Sequence, residues 1–279
     1  MVDSRSYGFH CKWAAVRAME GTPRKGISGC ALLPSILLGG LLLFGVPTFS
    51  AAETTKVSLQ GPVNVEVTPQ DRAFSLNELG VELVLKGDKE RGHEALREAA
   101  KLDPKNPTIF YNLAGLYLSR GDIRSALEAV NRCIALRPED LSFLHRLGEI
   151  HFAAGNYADA AEVFEQIAGK NPKFNEVLFH LGTVYAMQER WELAEDSLRK
   201  AVKLYPSHSS LETNLANVLI MQQKFAEAAS LLESVERREP SAETSLALGI
   251  ALEGAGKLEQ AASSYRRAKE LGSTDPQLA

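Results

Sequence analysis

Cysteine is nearly missing from this chain: three occur in 279 residues, Cys11, Cys30 and Cys133. Two lie in the first thirty residues, so the body of the chain holds one thiol, which closes no internal disulfide and leaves the fold to be held by packing. Clustered positive charge is missing too. Lys+Arg number 31 against 35 Asp+Glu, a net charge of −4, and polyanion binding draws on a basic surface that such a chain lacks, which argues against a nucleic acid partner. No HExxH, CxxC or nucleophile motif occurs, and no apolar run reaches the roughly 20 residues that span a bilayer. What remains, 45% hydrophobic and 24% charged residues, is a composition that folds in water.

The longest apolar run is "ALLPSILLGGLLLFGV", residues 31–46, which is interrupted by Pro34 and a glycine pair. It follows Arg5, Lys12, Arg17, Arg24 and Lys25 and is followed by "PTFSAAE". Basic region, apolar region and small-residue exit are the parts of an export leader, and the small Ser50 and Ala52 set the cut after Ala52. An uncut run would instead anchor the chain by residues 31–46. A lipoprotein box, suggested by "ISGC" at 27–30, fails because its apolar run comes after the cysteine. Translation from Met19 would give the leader a more usual length. Residues 1–52 hold five basic and two acidic residues, so their removal leaves 26 Lys+Arg against 33 Asp+Glu, a net charge of about −7.

Beyond the leader the chain repeats. Pro104, Pro138, Pro172, Pro206 and Pro240 follow one another at intervals of 34. If units begin at 73, 107, 141, 175 and 209, proline takes the thirty-second place of each. The seventh place is Leu79, Leu113, Leu147, Leu181 and Leu215, and the eighth is Gly80, Ala114, Gly148, Gly182 and Ala216. A sixth unit continues one residue early, with Leu248 and Gly249. The twentieth place is Gly92, Ala126, Ala160, Ala194, Ala228 and then Ala261; the twenty-seventh includes Ala99, Cys133, Ala201 and Ala268.

Apolar residues at helical spacing in both halves of a unit predict two amphipathic helices of about 14 residues, joined by short turns. Small residues at places eight and twenty let the two axes approach, and small residues at twenty-seven do the same against the following unit. Proline ends the second helix. Gly87, Gly121 and Gly155 suit the left-handed end of the first helix, and Asp88, Asp122 and Asn156 can cap the second. Glu189 and Gln223 replace that glycine and suggest a tighter or longer first helix in their units.

Leu-Gly, Tyr, Ala and Pro recurring in phase resemble the tetratricopeptide repeat family. The resemblance covers 73–272, six units, departing at Gly92 and at Ser273, which stands where proline is expected. It implies an all-α, right-handed superhelical solenoid with first helices lining a concave face, preceded by a linker over 53–72 and followed by a tail at 273–279. Because no unit buries its apolar face alone, the ends need cover. The tail is too short for a capping helix, so either the polar "SSYRRAKE" or another chain covers the C-terminal end.

Carrying the family's ligand-facing places onto this chain gives Tyr111, Asn112, His145, Arg146, Phe179, His180, Asn214 and Asn217 as partner-binding candidates, with Phe152, Met187 and Met221 as groove residues that could equally be packing. Such a groove suits an extended peptide or a helix. At the sixth place the family often uses Asn to bond a ligand's backbone, which singles out Asn112 and Asn214. Of the set with which chaperone-binding members hold a terminal carboxylate, only Asn112 and Arg146 match; Asn77, Val81 and Ser142 depart, so chaperone-tail binding is not expected. His145 and His180, one period plus one apart and near Glu149 and Glu176, could approach as metal ligands, but with no supporting motif they are read as groove side chains and no metal or cofactor is expected. The expectation is an exported, noncatalytic scaffold for a protein or peptide partner in the periplasm or envelope, with a membrane-tethered assembly factor as the alternative and a metal-binding or hydrolytic protein as a distant third. N-terminal sequencing of protein from its native host should begin at or near Glu53; a full-length chain that stays in membranes after alkaline washing would establish the anchor instead.

Overall fold

The computed structural model describes residues 67–273, so the leader, the cut after Ala52, most of the linker and residues 274–279 lie outside the described part. Twelve α-helices follow one another with no strand among the described residues: α1 (Pro69–Leu85), α2 (Lys89–Leu102), α3 (Pro107–Ser119), α4 (Ile123–Leu136), α5 (Leu141–Ala153), α6 (Tyr157–Lys170), α7 (Val177–Met187), α8 (Trp191–Leu204), α9 (Ser209–Met221), α10 (Phe225–Arg238), α11 (Ala242–Gly254) and α12 (Leu258–Glu270). They form six antiparallel pairs, in which odd-numbered helices are the first of a pair. Each second helix packs on its own first helix and on the first helix of the next unit. Neighbouring first helices also touch, α1 with α3, α3 with α5, α7 with α9 and α9 with α11. Second helices pack chiefly onto first helices, so the stack is tighter on the odd side and curves toward it.

The pairs are close because one side chain is seated where another has none. A Cβ on Gly80 would lie 2.7 Å from Leu96, one on Gly148 2.6 Å from Phe164, one on Gly182 2.5 Å from Leu198 and one on Gly249 2.4 Å from Tyr265. Each partner holds the twenty-fourth place of the same unit. Where the eighth place is alanine, Ala114 and Ala216, the twenty-fourth is Val130 and Leu232, and both alanines are fully buried. Gly92 is explained as well: a Cβ there would meet Val84 at 2.6 Å and the Gly80 carbonyl at 2.9 Å, so the first pair approaches too closely even for alanine.

Helix ends follow local chemistry. Thr68 and Asp71 form a reciprocal capping box, with Pro69 at the first position, so α1 begins four residues before the first repeat place. Residues 69–72, assigned to the linker from the sequence, are helical. Asp88 and Asp122 cap α2 and α4 through Arg91 N–H and Ser125 N–H. Asn156, expected to cap α6, makes no such bond. Gly87, Gly121 and Gly155 adopt φ of 90°, 73° and 76°.

The expectation for Glu189 and Gln223 is corrected: they adopt φ of 60° and 61°, keeping the glycine turn with side chains that disfavour it. The helix α9 therefore has the same 13 residues as α3 and α5. The helix α7 is shorter, not longer, because a 3₁₀ turn at Phe174–Glu176 takes its first residues. The one-residue shift of the last unit lies in the loop before it, where Ser241 caps α11 directly after Pro240. Cys133 is fully buried and its thiol donates to the Pro107 carbonyl at 3.3 Å, contacting its own unit's first helix rather than only the next unit. Burial pushes that thiol up to about 12, which leaves it unreactive.

Between units the outer side carries ion pairs. Glu195 accepts from Arg199 at 2.8 Å, from Lys224 at 2.7 Å and from Gln222 at 2.7 Å, tying the fourth unit to the fifth. Burial alone would raise its pKa, but those bonds outweigh it and hold the carboxyl near 2. Two substitutions separate frame from turn. Gly182→Leu should lower stability by roughly 1–3 kcal/mol by overpacking against Leu198, while Gln223→Gly should raise it by about 0.5–1 kcal/mol by relieving the left-handed backbone. Unfolding midpoints of the two variants measure both; a Gln223→Gly chain less stable than the parent would show that the turn carries no strain.

Candidate partner-binding groove

The inner face is built from the odd helices, and its residues meet across units in one recurring way. The fifth place of a unit touches the sixth place of the next, 35 residues on. Asn112 donates its amide N–H to Asn77 Oδ1 at 2.8 Å, and Asn77 is itself buried. Arg146 Nη2 donates to Tyr111 Oη at 3.2 Å, its guanidinium carbon lies 4.8 Å over the Tyr111 ring, and Nη1 is 2.9 Å from Glu149. His145 and His180 lie edge to face, 4.8 Å between ring centroids. His180 also stacks on Phe164 at 5.2 Å, and Phe174 closes the other side of His145 at 6.1 Å.

This ladder revises the candidate set. Asn112 has a structural duty, since it bonds a buried amide of the preceding unit. His145, 6% exposed, and Phe179, 4% exposed, are core rather than lining. Phe152 is buried as well and packs on Tyr157 at 5.5 Å. Tyr111, Arg146 and His180 are half-buried and engaged with one another or with neighbours. Of the four groups that could approach, His145 Nδ1 lies 3.7 Å from Glu149, which is also 2.9 Å from Arg146, while Glu176 lies 3.9 Å from His208; no group of three or more potential ligands comes together among the described residues.

Asn214, Asn217, Met187 and Met221 do converge. With Thr183 and Trp191 they line a cleft between α7 and α9, floored by Gly182 and Leu198. Its enclosed space is about 20 Å³, room for the end of one side chain and no more. Asn214 donates its amide N–H to the Ser210 carbonyl at 2.8 Å, which orients its own carbonyl oxygen as an acceptor beside an apolar slot. Trp191 was missed by the sequence reading because only first-helix places were considered. The signal was there: it occupies the seventeenth place, held by Tyr157 and Phe225 in the units on either side.

Paired helices stacked into a curved array, with an inner groove, define an α-solenoid of helical hairpins. Profiles of the tetratricopeptide repeat family match residues 83–147, 145–209 and 213–276, and the chain belongs to that family. No curated protein matches the chain. Among solved structures it is similar to a tetratricopeptide repeat protein from Parabacteroides merdae, with 23% identity over 75% of this chain and 82% of that one at a TM-score of 0.58. It is also similar to PilW, a type IV pilus biogenesis factor, with 17% identity over 74% and 96% at 0.65. A third is YrrB, a repeat protein with an unusual peptide-binding site, with 21% identity over 67% and 96% at 0.56. At these identities the likeness is one of fold.

Asn112→Ala should lower stability by about 1–3 kcal/mol, because it strands the buried Asn77 carbonyl. Phe179→Ala should cost about 3–5 kcal/mol as a core truncation. Denaturant unfolding measures both, and an Asn112→Ala chain as stable as the parent would return Asn112 to the set of open groove residues.

Proposed function

We propose that the chain is a noncatalytic, exported scaffold that holds an extended or helical segment of a partner protein along its inner face, with one apolar side chain of that segment seated between α7 and α9. The observation that carries the reading is the cleft itself: two methionines and a tryptophan give adaptable apolar contact, and amides on the same rim can bond a peptide backbone. Family membership supports an interaction role, and the peptide-binding site named for YrrB supports a peptide as ligand. Export rests on the basic leader and the apolar run at 31–46. The pilus role named for PilW favours an envelope assembly as the setting, and with the run left uncut the same scaffold is membrane-tethered.

A photocrosslinking residue placed at Met221 in the native host should capture a partner that the same residue at Lys200, on the outer side, does not. Met187→Glu combined with Met221→Glu should reduce recovery of that partner about tenfold or more. Equal capture at both positions, or undiminished recovery by the double variant, would overturn the groove as the binding site.

A further inference from the structure

Both ends of the stack keep the residues by which its units join one another. At internal junctions the thirteenth place of a unit lies over the seventeenth place of the unit before it. A Cβ on Gly254 would come within 2.4 Å of the Phe225 ring, and Met221 and Trp191 face one cleft. The fourteenth place reaches back in the same way: Arg120 Nη2 donates to the Lys89 carbonyl at 2.6 Å and to Glu90 at 3.0 Å, and Gln222 donates to the Trp191 carbonyl at 3.3 Å. The seventh-place leucine is buried in four of the five internal units, with Leu113, Leu181 and Leu215 4% exposed and Leu248 7%, and half-buried at Leu147.

The same places are bare at the two ends. On α1, Leu79 is 45% exposed and Leu85, at the thirteenth place, 73%. On α12, Leu258, at the seventeenth place, is 65% exposed. Ala262 is exposed too, where its counterparts Ala161 and Ala229 are buried. Charge follows the junction rule as well. Lys86 holds the fourteenth place and Glu259 the eighteenth, the places at which Arg120 and Glu90 pair. Lys86 now faces Glu82 in an exposed pair on its own helix, an interaction of little strength that it can exchange.

The geometry points to a second copy of this chain as the occupant: α1 of one copy stacks on α12 of another as a seventh unit would, Leu85 over Leu258 and Lys86 beside Glu259. This contact is separate from the groove. It joins different surfaces of the two copies and does not close on itself, so each added chain exposes a fresh end and the array can lengthen.

Sedimentation of the full chain tests this through two variants, Leu85→Asp and Leu258→Asp, each blocking one end at an exposed position. The parent should form species larger than a dimer as its concentration rises. Each variant alone should be monomeric. An equal mixture should form a two-chain species and nothing larger, because one intact end of each kind survives, and this rescue also requires that both variants are folded. A parent that stays monomeric up to about 1 mM would overturn the proposal and assign the end faces to residues 1–66 or to another protein. Self-association of either variant alone would overturn it in favour of like-to-like contact.

Discussion

The solenoid depends on a glycine or alanine at one place in each pair. A second-helix residue sits directly over the eighth place where it is glycine, Leu96 over Gly80, Phe164 over Gly148, Leu198 over Gly182 and Tyr265 over Gly249, and Val130 and Leu232 hold the same register against Ala114 and Ala216. Helix axes held at that distance bury Leu96, Phe164, Leu198 and Leu232 almost completely. Since every second helix also supports the first helix of the following unit, a wedge in one pair is felt at two junctions. Stability is then a sum over neighbours, and the terminal units, each with a single junction, carry the least of it.

The inner face is where that frame and the function compete for the same residues. Between the first and fourth units the fifth and sixth places are occupied with one another, as amide on amide, guanidinium on phenol and imidazole on imidazole. These contacts hold neighbouring first helices together and so set the curvature. A ligand there would have to displace a bond already made, including one to a buried amide, which costs the desolvation of the group left behind. Between the fourth and fifth units the ladder changes. Phe179 is drawn into the core and Asn214 turns its N–H to its own helix, leaving polar and apolar groups facing a slot. The proposed binding falls there because the frame asks least of those side chains.

The period, the paired helices and the six units were legible in the sequence, because glycine, alanine, leucine and proline at fixed places each answer to a steric or hydrogen-bonding demand that does not depend on neighbours. The helix boundary at Thr68 was legible too, in "TPQD", though it lay before the first repeat place and was read as linker. The turns at Glu189 and Gln223 were not, since a left-handed residue other than glycine is tolerated only when the helices on either side fix its conformation. The groove was half legible. Places carried over from the family name the residues on the inner face, but they do not say that place five of one unit is spent on place six of the next, which depends on how far adjacent first helices slide past each other. Trp191 escaped for the opposite reason, as a second-helix side chain reaching across its own pair.

The cleft and the end faces are two outcomes of one junction. Where the thirteenth place is Gly254, the aromatic ring before it packs onto the bare backbone and the junction is closed. Where it is Met221, a flexible side chain and Trp191 line a slot together. Where nothing described precedes the unit, Leu85 stands exposed with no ring or leucine beneath it. The residue at this one place thus differs between these junctions and the exposed end, and the residues that join units within the chain are chemically the same as those available to join it to something else.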